Sequence, residues 1–362
     1  MMKRSTLEGY RFAGMHRSCV GAVKSCLGYY GSSETAAWIY GVTGGAFLII
    51  VDEALSAPLI GEPEGSMYAL SKHLGLDIQG ICATAADGSA FEALQREAWG
   101  MARNALDRGV PAFAKELDLG NETSLIYSYD ETGYYTHSWH SGPGLHEGAD
   151  GVVPWTMLGR SYCPCAACRR EADSGGERKR VFRGLPENGG FVSLHVAEEG
   201  DRSDDRTALA AALRFATEWS SRSAYEWGGR TFYSGGAAYD RWIGAVRSGS
   251  IEAFYMGYFV DIMHESRRYA QQFLAEAAER LEGDDAMAKR LAVAAEHYKK
   301  VSGLYRTLEQ MFPWMQPHAP IADAERRQHA IELLERIKRL DEEGWAMLEE
   351  MRLPKKVDCY EG

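Results

Sequence analysis

Residues 15–31 read Met15-His-Arg-Ser-Cys19-Val-Gly-Ala-Val23-Lys-Ser-Cys26-Leu-Gly-Tyr-Tyr-Gly31. Val20, Val23, Leu27 and Tyr30 recur at helical spacing, Ser18 serves as an N-cap residue and Gly31 stops the run, so the stretch predicts a helix. Cys19 then falls in the first helical turn. There, unpaired backbone N–H groups and the positive end of the helix dipole favour the thiolate, the form that attacks carbonyls. The same residue lies four positions before Val23 and seven before Cys26, on the apolar stripe, and so also reads as a core cysteine.

Outward from this helix, short helical and strand patterns alternate up to about residue 200. A helix is expected near 34–40, a buried strand over Phe47–Val51, a helix over Ser66–Leu74, a strand over Asp77–Cys82 and a helix over Ala90–Leu106 closed by Gly109. Leu125-Ile-Tyr-Ser-Tyr and Tyr134-Tyr-Thr-His-Ser-Trp flank the turn residues Asp130-Glu-Thr-Gly133, which predicts an antiparallel hairpin. Phe191–Val196 reads as another strand of the same sheet. The Gly-, Ser- and charge-rich region between them reads as loop. After the acidic linker at 198–205, helix formers dominate, with segments near 205–219, 237–247, 251–282, 285–311 and 322–351 and prolines 313, 317 and 320 separating the last two. The expectation is an α/β (α+β) domain over 1–200 with an antiparallel sheet, followed by an all-α bundle over 205–355, which suits a chain of 362 residues at roughly 100–200 residues per domain.

Composition narrows the function. With 51 acidic against 40 basic side chains the net charge is −11, and no lysine-rich arm is present, so nucleic acid and anionic membranes are not the expected partners. The chain shows neither a secretory leader nor a run of about 18 apolar residues, which leads to a cytoplasmic expectation and to reduced thiols at all 7 cysteines. No Gly-x-Gly-x-x-Gly, phosphate-binding Gly-Lys-Ser/Thr or nucleophile elbow occurs.

A cysteine on the first helix, a helix ending at Arg108-Gly-Val-Pro-Ala-Phe113 and the hairpin about residue 130 together resemble papain-like cysteine enzymes of the bacteriocin-processing peptidase type. Met15-His-Arg-Ser-Cys19, Leu27-Gly-Tyr-Tyr-Gly31, Glu34 and Gly41-Val-Thr-Gly-Gly45 are more similar to the family of the N-terminal domain of butirosin biosynthesis protein H, over roughly residues 10–160. That resemblance implies a papain-like fold and transfer of an aminoacyl group from a carrier-protein thioester to an amine. It also implies a cysteine nucleophile, a histidine base on the first hairpin strand and an orienting carboxylate or amide on the next. Here Glu122 stands where the base is expected, and His137 and Ser138 lie on the following strand. Either the base has moved to His137 or His140 with Glu122 orienting it, or the machinery is lost.

The catalytic candidates are therefore Cys19, His137, His140 and Glu122, with Ser18, Glu116, Tyr127 and Trp139 as candidate substrate contacts. His137, His140 and His146 crowd a loop about Trp139 without a trusted metal spacing. Cys163-x-Cys165-x-x-Cys168 offers three thiols within six residues, a set able to hold zinc if a fourth ligand such as His146 or Cys359 is near. No cofactor is otherwise required. The leading reading is a cysteine-dependent acyltransferase taking a thioester donor, carried by an acyl carrier protein or free, and a small-molecule amine. The alternatives are a hydrolase using the same nucleophile and a papain-like scaffold that has lost its base.

Overall fold

The computed structural model describes residues 5–352 apart from 60, 62, 119, 121, 140–148, 150, 177–179, 181–184, 186, 282 and 315–320. Candidate residues His140, His146 and Cys359 lie outside the described residues. In chain order the elements are β1 (Ser5–Thr6), α1 (Ser18–Tyr29), α2 (Ala36–Val42), β2 (Ile50–Asp52), α3 (Glu64–Leu70), β3 (Leu76–Ala85), α4 (Gly88–Asp107), β4 (Ala112–Lys115) and β5 (Thr123–Tyr129). There follow β6 (Gly133–His137), β7 (Val153–Pro154), α5 (Ala166–Asp173), β8 (Gly190–Glu199), α6 (Asp205–Ser220), β9 (Ala224–Trp227), β10 (Arg230–Ser234), α7 (Gly235–Ser248), α8 (Ala253–Arg280), α9 (Asp285–Met311) and α10 (Ala324–Glu350). The protein is a mixed α/β molecule with an antiparallel sheet and a helical C-terminal region.

The large sheet runs β3-β8-β4-β5-β6-β7, with β1 on β5, and every pairing is antiparallel. Sequence reading located β3, β5, β6 and β8, because their apolar positions and turn residues are local signals, but not the two-residue strands β1 and β7. Asp130 shows this well: its carboxylate accepts the Thr132 N–H at 2.8 Å and the Gly133 N–H at 3.3 Å, an Asx-type turn that closes the β5–β6 hairpin. Helix α4 lies on this sheet through Phe91, Ala98, Trp99, Ala102, Ala105 and Leu106, spaced for one helical face. Asp87 caps it, accepting N–H groups of Ser89 and Ala90 at 3.0 Å each. Helix α1 differs, being buried on nearly every side from Ser18 to Leu27, as expected of an apolar helix between layers.

Two expectations are corrected. The region after residue 205 is not all-α: Ala224–Trp227 and Arg230–Ser234 form a hairpin whose second strand pairs with β2, placing Phe232 opposite Asp52. Gly228 and Gly229 at its tip have φ of +57° and +73°, the paired left-handed conformation that suits a two-residue hairpin and that glycine adopts without strain. The stretch containing Cys163, Cys165 and Cys168, read as loop, runs into the short helix α5, with Cys165 as its N-cap.

One continuous buried cluster extends from Leu7 to Met351. Gly41 of α2 is packed against α8 so closely that a Cβ there would lie 2.0 Å from the Phe273 ring. Arg267 of α8, fully buried, donates to both carboxylate oxygens of Asp341 on α10 and to the carbonyls of Ala46 and Leu48 at 2.8 and 3.3 Å. The helical region thus closes over the N-terminal segment and brings α8 onto the start of α1. No described helix is long and apolar enough to cross a membrane.

Candidate active site

Cys19 occupies the second position of α1 and lines a cavity of about 410 Å³. Its own side chain is buried, 3% exposed, so the cavity is its approach to solvent. His16, Arg17 and Ser18, just ahead of it, line the same cavity, as do Lys115, Glu116 and Glu122 from either side of the β4–β5 connection. Tyr258 and Ile262 of α8, with Trp227, Arg230 and Phe232 of the β9–β10 hairpin, contribute to the same wall.

The segment before α1 is held by side chains rather than by an ordinary cap. Glu265 of α8, buried, accepts the backbone N–H groups of His16 and Arg17 at 3.1 and 3.0 Å, and Tyr40 donates to the same carboxylate at 2.8 Å. Asp261, one turn earlier on α8, accepts a hydrogen bond from His16 Nδ1. Burial pulls the His16 pKa down, but the Asp261 hydrogen bond and the charges of Asp261 and Glu265 outweigh it, and the net shift is upward. Arg17 donates to the Gly45 carbonyl and to the Met67 sulfur.

Of the residues singled out from sequence, Cys19, Ser18, Glu116 and Glu122 come together on the cavity. Ser18 Oγ accepts the N–H of Thr123 at 2.9 Å, tying the start of α1 to the start of β5. Glu122 accepts the hydroxyl of Tyr258 at 2.9 Å. Glu116, buried, has φ of +56°, a left-handed conformation that side chains other than glycine adopt at a cost and that gathers at functional sites. Trp139 packs its edge geometry on His16, with ring centroids 4.9 Å apart at 81°.

His137 and Tyr127 form a separate pair. The hairpin register sets His137 opposite Leu125, whereas Glu122 precedes the first residue of β5. The His137 ring stacks on Tyr127 at 4.2 Å and 14°, and the residue is not among those lining the cavity. Burial, followed by the charge of Arg11, lowers its pKa.

Sequence reading missed His16, Asp261 and Glu265 as site residues. His16 lay inside the quoted stretch, but its partner is 245 positions away. Tyr258, Asp261, Ile262 and Glu265 recur at i, i+3, i+4 and i+7, so one face of α8 carries them all. The signal was there in the form of two acids in phase with an apolar stripe. Cys82, at the end of the strand expected over Asp77–Cys82, is exposed and lines the cavity.

Away from the cavity, the sulfurs of Cys163, Cys165 and Cys168 lie within 4.8 Å of one another, a group able to hold a metal ion. Cys165 also accepts the Cys168 N–H at 3.5 Å. Burial raises the Cys163 thiol to about 12 and raises that of Cys168 as well.

Fold and site define a mixed α/β protein with a helix N-terminal cysteine opening on a cavity whose largely apolar wall carries both glutamates and basic side chains. Family models and curated proteins both give no match to this chain.

Proposed function

We propose that the protein is a cysteine-dependent acyltransferase of papain-like, butirosin protein H-like type. The observation that carries this reading is Cys19: a thiol in the first turn of a buried helix, on the wall of a cavity large enough for a small acyl group and an acceptor. The helix end supplies N–H groups that suit both a thiolate and the oxyanion of a tetrahedral intermediate. The antiparallel sheet behind it, with β5 starting beside the nucleophile, suits the layout of the papain-like class. In the reaction the thiolate attacks the donor carbonyl carbon, the donor thiol leaves with a proton, and an amine then displaces Cys19 to give an amide. The net change is thioester plus amine to amide plus thiol. Glu64, Glu116 and Glu122 stand beside Arg17, Lys115 and Arg230 on the wall, a mixed set of charges that suits a small polar amine as acceptor. A carrier protein is the expected donor in a cytoplasmic setting.

The test is intact-mass spectrometry after mixing the protein with short-chain acyl thioesters of N-acetylcysteamine, followed by addition of a diamine. A covalent acyl adduct absent from Cys19→Ala, and discharged as amide, is the expected result. Discharge only as free acid marks the hydrolase instead, and no adduct with any donor marks a scaffold.

We further propose that Cys163, Cys165 and Cys168 hold zinc. Three thiolates at tetrahedral geometry about zinc stand about 3.8 Å apart, and the three sulfurs lie within 4.8 Å of one another. Such a site would brace the segment that leads into β8, away from the chemistry. Metal analysis of protein purified without chelator should give about one equivalent, reduced in Cys165→Ser, with retention falling as pH drops because thiolates bind the metal. A value near zero in the parent removes the zinc.

A further inference from the structure

We infer that His16, oriented by Asp261, is the catalytic base for Cys19. The base would then come from the strand-free segment just ahead of the nucleophile and its orienting carboxylate from α8. This rests on the acyl-transfer reading of Cys19.

Three observations carry it. His16 precedes Cys19 by three residues and lines the same cavity, with its side chain 33% exposed. Its Nδ1 is engaged by Asp261, which fixes the tautomer and leaves Nε2 for proton transfer. Its main chain is anchored as well, because Glu265 accepts its N–H and that of Arg17, and Trp139 packs against the ring. A nucleophile, a base and a third group orienting the base form the arrangement that activates cysteine and serine. No other described histidine lines this cavity: His137 stacks on Tyr127 instead.

In the first half-reaction His16 Nε2 takes the proton of the Cys19 thiol, and the resulting thiolate bonds to the acyl carbon. The imidazolium then gives that proton to the departing donor sulfur as the carbon–sulfur bond breaks. In the second half-reaction His16 takes a proton from the attacking neutral amine and returns it to Cys19 Sγ as the acyl group leaves. The upward shift of the His16 pKa suits an imidazolium beside a thiolate. The charged groups about His16 are Asp261, Glu265 and Arg268 on α8 and Glu309 on α9, and the cavity wall adds Arg17, Glu64, Lys115, Glu116, Glu122 and Arg230.

The experiment measures the rate of Cys19 alkylation by iodoacetamide against pH, alongside acylation by the thioesters above. His16→Gln should move the alkylation midpoint up toward that of an ordinary thiol and slow acylation by about 10²–10⁴-fold. Asp261→Asn should do the same less severely, since Asp261 is a positioning residue. In parallel, an NMR titration of His16 in the parent and in Cys19→Ser reads the coupling without altering His16: the imidazole should titrate lower once the thiol is gone. An unchanged alkylation profile and acylation rate in His16→Gln, or an unchanged His16 titration in Cys19→Ser, overturns the inference. Transfer of the whole effect to Glu122→Gln also overturns it. If Cys19 alkylation depends on His16 while no thioester acylates the parent, the pair stands and the acyl-transfer reading falls.

Discussion

The hydroxyl of Ser18 accepts the backbone N–H of Thr123 at 2.9 Å, so the residue before the candidate nucleophile is fastened to the residue after Glu122. Both partners are buried, and the contact joins α1 to β5 across 105 positions of sequence. Ser18→Ala leaves the Thr123 N–H unsatisfied in the interior, where an orphaned donor costs about 1–3 kcal/mol. Urea unfolding should show that loss, and Cys19 acylation should slow because the cavity wall at Glu122 is no longer tied to the helix. Parent-like stability in Ser18→Ala would show that the Thr123 N–H finds another acceptor.

Arg267 and Asp341 form a fully buried ion pair that also satisfies two carbonyls of the 46–48 segment. Asp341→Asn removes the compensating charge and leaves a buried guanidinium, a change that costs roughly 3–5 kcal/mol in comparable pairs. Denaturant unfolding should register this as a large drop in midpoint. Since α8 carries Asp261 and Glu265, Cys19 reactivity should fall with it. A loss below about 1 kcal/mol would contradict the role assigned to the pair.

His195 sits inside β8, stacked on Phe113 at 5.6 Å and near Tyr68 at 4.5 Å, with its Nδ1 buried and unbonded. Burial lowers its pKa from the ordinary 6.5 to about 4, only partly offset by Glu64. The folded state therefore binds fewer protons than the unfolded chain between these values. Stability should fall as pH drops from about 6.5 toward 4, by roughly 3–4 kcal/mol at most, and then level off as far as this group is concerned. His195→Phe, which keeps an aromatic ring in the slot, should remove that component from a series of unfolding curves between pH 7.5 and 4. Identical pH dependence in the two proteins would assign it to other groups.

Thiol mapping separates the cysteines. Substoichiometric iodoacetamide near pH 7.5 should label Cys19 first and the exposed Cys82 next. Cys26 should stay silent, since burial raises its pKa to about 12 despite the Tyr10 hydroxyl at 3.3 Å. Peptide mapping that finds Cys82 modified and Cys19 untouched would make Cys19 a core residue, the alternative its place on the apolar stripe always allowed.

The elements themselves were largely written in the sequence. Helices expected at 205–219, 285–311 and 322–351 form over Asp205–Ser220, Asp285–Met311 and Ala324–Glu350, because periodicity, aspartate caps and prolines are signals carried within a few residues. The β5–β6 hairpin and the place of Cys19 at a helix start are local in the same sense. What tertiary structure alone decided is which distant side chains meet. The β9–β10 hairpin gained its identity by pairing with β2, some 180 positions earlier. Asp261 and Glu265 became site residues only when that face of α8 was laid on residues 16 and 17. His137 and Glu122, neighbours along the hairpin in sequence terms, part because the register pairs His137 with Leu125 and lets it stack on Tyr127. Local propensity acts over one turn of helix or one strand, whereas a constellation of acids, imidazole and thiol exists only once burial has folded separate segments onto one another.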